Sequence, residues 1–327
     1  MKHFLLSFLF AGVLLLSGCR HGEGMTPLLI AAHDGETADL RALLADGADV
    51  NQTSRYGWTG LIFAAREGHA DVVEIMLEAG GDPNVVTEKI PPGFMATRGG
   101  YFETTALAEA IRNDHLEIAN RLIDQGAQVE SLSVALAGKK GDLNLLDRML
   151  KGGADLNLPA KTAYYSTALC EAAKQGNLEA VRWLHEHGAK VNVPTGRSLP
   201  LHCAITSKNP EVVDYLLQQG ADPNLSAGDA GYHHNTALGK AVGLHPRNQG
   251  ESTQILRIID SLLNQGADPS HTDTTGKTLV ERKLLQKENS RAYREKHPVH
   301  PDKVEKVQIQ DAHRDVVVEV LQQAMTP

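Results

Sequence analysis

Cysteine is scarce in this chain, and the three present (Cys19, Cys170 and Cys203) are too far apart for a CxxC redox or zinc motif. There is no HExxH, and Gly18, Gly22 and Gly24 are too scattered to cradle a phosphate. A basic excess is missing too. Lys and Arg number 32 against 40 Asp and Glu, for a net charge of −8. That argues against a nucleic-acid partner, whose phosphates need a positive face. The acidity fits solvated outer helices, and a basic protein partner would also suit it. Aromatic residues are only 5% of the chain, as expected where small and aliphatic side chains pack helix on helix. A long apolar run occurs once, from Phe4 to Leu16. It is short for a spanning helix and right for the apolar part of a secretory leader.

What the chain has in quantity is itself. The stretch STALCEAAKQGNLEAVRWLHEHGAKVNV, from Ser166 to Val193, recurs as TPLLIAAHDGETADLRALLADGADVN from Thr26 and TGLIFAAREGHADVVEIMLEAGGDPN from Thr59. Further copies begin at Thr105, Ser133 and Leu199, and a stretched one runs from Thr236 to Pro269. In five of the seven, a Thr (Thr26, Thr59, Thr105, Thr167 or Thr236) is placed to cap a short helix. Pro27 and Pro200 stand at the first turn, where Pro is tolerated. The pairs Ala31–Ala32, Ala64–Ala65 and Ala172–Ala173 let first helices approach closely. Gly176 and Gly188 stop the two helices of the central copy, since Gly takes the left-handed conformation freely. Second helices carry apolar residues at helical spacing: Leu40/Leu43/Leu44, Val72/Val73/Leu77 and Val212/Val213/Leu216/Leu217. Neither helix is long enough to stand alone, so each pair must lean on its copies.

A unit near 33 residues with a TPLHxA-like opening and a GAD-like close resembles the ankyrin repeat. The resemblance covers Thr26 to Pro269 in seven copies. It implies an all-α ankyrin-repeat solenoid of about seven to eight helix-turn-helix repeats, joined by β-hairpin fingers and offering a concave surface to another protein. His69 and His115 sit where that pattern often has His, and read as structural caps. The divisions expected are a leader over 1–18, a tether over 19–25, repeats over 26–276 and a degenerate capping repeat over 277–327. In that last part a helix is expected from Thr278 to about Gln286. A charged stretch without helical periodicity follows from Lys287 to Val307, then an amphipathic helix over Asp315 to Met325 through Val317, Val320 and Leu321.

The leader ends in Leu16-Ser17-Gly18-Cys19, which resembles the bacterial lipobox. The resemblance implies cleavage before Cys19, a diacylglycerol on its thiol and acylation of the new amino terminus. Several acyl chains anchor stably where one is marginal. Arg20 after the Cys implies the periplasmic face of the outer membrane, or the cell surface in a Gram-positive source. A plain leader with a chance Cys is the alternative.

Departures from the repeat mark the candidate binding surface. The finger between the second and third copies swells from Val85 to Glu103, with Phe94, Met95, Arg98, Tyr101 and Phe102. Smaller enlargements run from Leu158 to Tyr165, with Tyr164 and Tyr165, and from Leu225 to Asn235, with Tyr232, His233 and His234. The seventh copy has a break from Gly243 to Ser252. Insertions in repeat proteins fall in loops, often on the binding face, and aromatics concentrate at interface hot spots. Drift in tolerated surface loops is the other explanation.

No catalytic constellation, cofactor or metal site is expected. His297, His300 and His313 lack the Cys or carboxylate partners of a good metal site. His202 and Cys203 are adjacent on a helix and face apart. Cys170 and Cys203 occupy the fourth and fifth positions of the repeat frame, so small core residues are expected in preference to a disulfide. The functional expectation is a lipid-anchored envelope module that binds another protein. Two roles stay open: an immunity protein that occludes a secreted antibacterial toxin such as a phospholipase, or a scaffold for a resident periplasmic enzyme or other protein.

Overall fold

In the computed structural model the described residues are 24–87, 103–160, 166–193, 199–226, 236–272, 276–296, 299 and 303–326. They form helices and no named strand, and they divide into two units that part between Ser133 and Val134.

The first unit holds three helix pairs: α1 (Pro27–Asp34) with α2 (Thr37–Ala45), α3 (Gly60–Glu67) with α4 (Ala70–Glu78), and α5 (Ala106–Arg112) with α6 (Leu116–Asp124). First helices pack on first helices and second on second. Their small residues make this approach possible, since Ala31, Ala32, Ala64, Ala65 and Ala108 are all buried. The expected caps form. Thr26, Thr59 and Thr105 accept from the N–H of Leu29, Ile62 and Ala108 at 3.4, 3.3 and 3.1 Å. The second-helix faces centre on Leu40, Val72, Val73, Ile75, Met76, Ile118 and Leu122, while Leu43, Leu44 and Leu77 are only half-buried.

The two histidines act on the preceding repeat, not on their own helices. Neither His69 nor His115 makes a side-chain bond to the N-terminus it precedes. Instead His69 Nε2 lies 2.9 Å from the carbonyl of His33, and His115 Nε2 lies 3.1 Å from that of Arg66. Each imidazole thus satisfies a carbonyl left open at the end of a first helix. Gly35 and Gly68 make room for the rings. A Cβ at Gly35, whose φ is +78°, would lie 2.8 Å from His69.

The second unit takes in most of α7 (Ser131–Lys140), then α8 (Leu143–Lys151), α9 (Ala168–Gln175), α10 (Leu178–Glu186), α11 (Pro200–Ser207) and α12 (Pro210–Gln218). It ends with α13 (Ala237–Val242), α14 (Gln249–Asn264), α15 (Leu279–Lys296) and α16 (Val304–Met325). Thr167 and Thr236 cap α9 and α13 through the N–H of Cys170 and Gly239 at 3.3 and 3.1 Å. Gly138 lets α7 meet the first residue of α9 backbone to backbone, for a Cβ there would fall 2.5 Å from the Ala168 carbonyl oxygen.

Three expectations are corrected in this unit. Cys170 and Cys203 form a disulfide, with Cα atoms 5.5 Å apart. Side-by-side packing of α9 and α11 brings the two positions within disulfide reach although their places in the repeat frame differ by one. The break in the seventh copy is shorter than 243–252, because Asn248 caps α14 by accepting from Glu251 N–H at 2.8 Å. Finally, α15 continues to Lys296 and α16 starts at Val304, so most of 287–307 is helical. Ion pairs hold it: Arg291–Glu295 within α15, and Lys287–Asp315 and Arg294–Asp311 between α15 and α16, both at 2.8 Å.

The fingers, among the described residues, carry isolated antiparallel bridges, Thr53 with Thr59 and Thr272 with Thr278, in place of laddered strands. What ties them is asparagine. Asn51 Nδ2 donates to the Gly80 carbonyl at 3.3 Å, and its Oδ1 accepts from Asp82 N–H at 2.7 Å. Asn84 does the same to Gly126 and Gln128 in the first unit, and Asn157, Asn192 and Asn224 repeat it in the second. An Asp two residues earlier holds four of these five turns, as Asp82 Oδ1 does by accepting from Asn84 N–H at 2.8 Å, and Lys190 stands in that place before Asn192.

Candidate partner-binding loops

Every site residue expected from sequence lies outside the described residues: Cys19, Phe94, Met95, Arg98, Tyr101, Phe102, Tyr164, Tyr165, Tyr232, His233 and His234. What is described is the base from which each enlarged finger leaves.

The first base is anchored to the core. Thr87 N–H donates to the Thr104 carbonyl at 2.9 Å, and Thr104 N–H donates to Thr87 Oγ1 at 3.0 Å. Thr104 Oγ1 then donates to Glu109 Oε1 at 2.9 Å, within a buried side-chain network. Glu109 is 1% exposed on α5, and its charge is met by Arg112 and by Asn113. A buried carboxylate needs such partners to remain there. The clamp therefore fixes where the 88–102 segment begins and ends. Beside it Val86 stands 53% exposed.

The second base, in the other unit, is simpler. Ala160 N–H donates to the Ser166 carbonyl at 2.9 Å, Ala160 is fully buried, and Leu158 is 54% exposed. At the third, Leu225 N–H meets the Asp222 carbonyl at 3.4 Å before the segment leaves, and Thr236 caps α13 after it. Two of the three bases thus present a large apolar side chain to solvent beside a pinned turn.

Elsewhere the outer faces are charged. On α4 and α6 a cleft of about 430 Å³ is lined by Asp71, Glu74, Glu117 and Asp124 among others. Arg121 is hydrogen-bonded to Glu74 there. That bond holds the Glu74 carboxyl below its ordinary range and raises the Arg121 guanidinium. Arg257 on α14 likewise joins Glu211 and Asp214 of α12, at 2.9 and 2.8 Å.

The residues weighed for other chemistry are tied up. The Cys203 sulfur is in the disulfide and is no nucleophile. His202 is buried, and desolvation, helped by Lys240, pushes it down to about 4, so it is neutral near pH 7. His313 is also buried. Its Nδ1 lies 2.9 Å from Ser252 Oγ, and burial holds it down to about 4 as well. His297 and His300 lie outside the described residues. Among the described residues no three His, Cys, Asp or Glu gather as metal ligands, and no helix is long and apolar enough to cross a membrane.

Sequence reasoning missed Lys283, a buried lysine on α15. It falls inside the helix expected to end near Gln286, where the repeat pattern has already faded and gives no register for a core-facing position.

Comparison with known proteins agrees with this geometry. A family profile for ankyrin repeats, in three copies, matches residues 7–87 and 132–227, just over half of the chain. A nematode protein (Caenorhabditis elegans), the ankyrin repeat and KH domain-containing protein mask-1, is 31% identical over 231 residues. The alignment covers 66% of this chain but 8% of that protein. The human mitochondrial disaggregase is 45% identical over 58 residues, 18% of this chain and 8% of its own. The chain thus spans less than a tenth of either relative. Among solved structures, the ankyrin repeat domain of human ASB11 covers 75% of this chain and all of its own, with a TM-score of 0.54 and 24% identity. That likeness concerns the fold. Paired short helices, Thr caps, the asparagine ladder and the profile match agree: the chain belongs to the ankyrin-repeat family, whose arrays are protein-interaction modules.

Proposed function

We propose that this chain is a lipid-anchored envelope protein that captures another protein on its enlarged fingers, and that the captured protein is a secreted antibacterial toxin whose active site a finger occludes. The observation that carries the reading is the base of the 88–102 segment. A long, aromatic-rich insertion springs from a clamp tied to the buried Glu109, with Val86 exposed beside it. Drift alone does not require a loop of this size to keep so firm a footing, whereas a binding loop gains affinity when its ends are fixed in advance. The leader and the Leu16-Ser17-Gly18-Cys19 box support an anchor on Cys19.

The test has two parts. Labelled lipid precursor should be incorporated into the wild-type chain and not into Cys19→Ala. A strain lacking the chain should be killed by a sibling that delivers the cognate toxin, and a chain with 88–102 replaced by a short turn should fail to protect it. Normal growth against every secretion-competent sibling would end the toxin reading. Stoichiometric recovery of a resident envelope protein from unstressed cells would assign the array to scaffolding instead.

A further inference from the structure

In the second unit, α15 and the turn after α13 line an open cavity of about 600 Å³. Val242, Leu279 and Leu285 give it an apolar wall, and His245, Lys283 and Arg294 give it a basic one. Lys283 is the unusual member. It is 6% exposed, and among the described residues its ammonium has neither an ion-pair nor a hydrogen-bond partner. Its stem is packed away while its nitrogen reaches the cavity, where no acid meets it, so the ammonium faces that space as an unpaired cation.

The neighbouring groups deepen the deficit. Arg282 on its own helix and Arg314 on α16 are both cationic and both act on Lys283, while His245 and His313 feel its charge in turn. The nearby acids are engaged. Asp311 takes Arg294 at 2.8 Å and Arg314 at 3.1 Å, Asp315 takes Lys287, and Glu281 closes the capping box at Thr278. Burial and those cations bring the Lys283 ammonium down to about 8, which leaves it mostly protonated near pH 7. Gln286, Asn289 and Ser290 on the same lining can donate further hydrogen bonds.

We propose that this cavity binds a small organic anion, with its carboxylate or phosphate head against Lys283 Nζ and a short apolar body along Val242, Leu279 and Leu285. The chemistry follows from the wall. An unpaired ammonium on the lining wants one oxyanion head, and the aliphatic surface beside it suits a hydrocarbon chain better than a sugar. The site is independent of the finger loops and stands whatever protein those loops hold.

Calorimetry on the full chain with octanoate and octyl phosphate tests it, with octanol as the neutral control and inorganic phosphate as the head alone. Both amphiphilic anions should bind, octanol and phosphate at least tenfold more weakly. Lys283→Met keeps the apolar stem and should lower octanoate affinity at least tenfold. Leu285, 40% exposed at the rim, tolerates a polar side chain, so Leu285→Glu should fold and weaken both anions by repulsion. In the wild type, octanoate should shift the Lys283 side-chain resonances. The proposal fails if neither anion binds at millimolar concentration, or if a folded variant at both positions binds as the wild type does. It also fails if an acidic peptide shifts Lys283 and the two amphiphiles do not.

Discussion

The first unit and the last three helices of the second solve one problem in opposite ways. In the first unit helices are seven to nine residues long, and repeats are joined by side chains that bond a neighbour's backbone: His69 to His33, His115 to Arg66, Asn51 to Gly80 and Asp82. In the second, α14, α15 and α16 run for 16, 18 and 22 residues, and α15 and α16 are joined by ion pairs between side chains. Backbone-directed bonds can be copied from repeat to repeat because every repeat offers the same open carbonyl. In α15 and α16 the repeat pattern has faded, and length and charge replace the staple. The same loosening of the pattern places a cavity beside Lys283, a little-exposed lysine with no acid partner among the described residues.

The comparison can be broken most forcefully at the disulfide. It closes a loop of 33 residues in the second unit, and removing it as Cys170→Ala with Cys203→Ala should destabilise that unit by about 3–4 kcal/mol on the chain-entropy model. Denaturant unfolding with and without reductant checks this. Amide exchange in α1–α6 should not change.

Next in size is acid sensitivity. His202 and His313 are held down to about 4 in the folded chain, against an ordinary value near 6.5. Between those values the unfolded state binds the additional protons. Stability contributed by the neutral rings is therefore full above pH 6.5 and is lost as pH falls towards 4, by roughly 1–3 kcal/mol for each ring. Melts across that range on His202→Gln and His313→Gln should show a flatter slope than the wild type. An unchanged slope in both would mean the rings titrate normally in the fold.

In the first unit Gly35→Ala should cost roughly 1–2 kcal/mol, because the position is left-handed and the new methyl meets the His69 ring. The double variant with His69→Ala should recover the part due to contact and keep the part due to conformation. The smallest effect is at Asn84. Asn84→Ala removes two hydrogen bonds at an exposed finger, for about 0.5–1.5 kcal/mol in urea unfolding, since water reaches the freed groups.

The Thr caps, the Pro at first turns and the Gly stops were legible because each is a local rule needing only a few neighbouring residues. The cysteine pair was not. Whether the fourth position of one helix meets the fifth of the next depends on how α9 and α11 are rotated against each other. The length of α15 was hidden for a similar reason. Its later turns have little apolar periodicity, and their partners Asp311 and Asp315 lie on another helix. The finger aromatics were legible as composition alone, and what the structure adds is the footing beneath one of them, Thr87 and Thr104 on Glu109.

By itself the sequence determined the repeat, its caps and stops, and the places where it swells, because these follow from backbone preferences over a few residues. Only the tertiary structure decided that Cys170 meets Cys203, that each His reaches back to the preceding repeat, and that Lys283 is buried without an acid. Those depend on distances between residues far apart in the chain, which packing sets and periodicity does not.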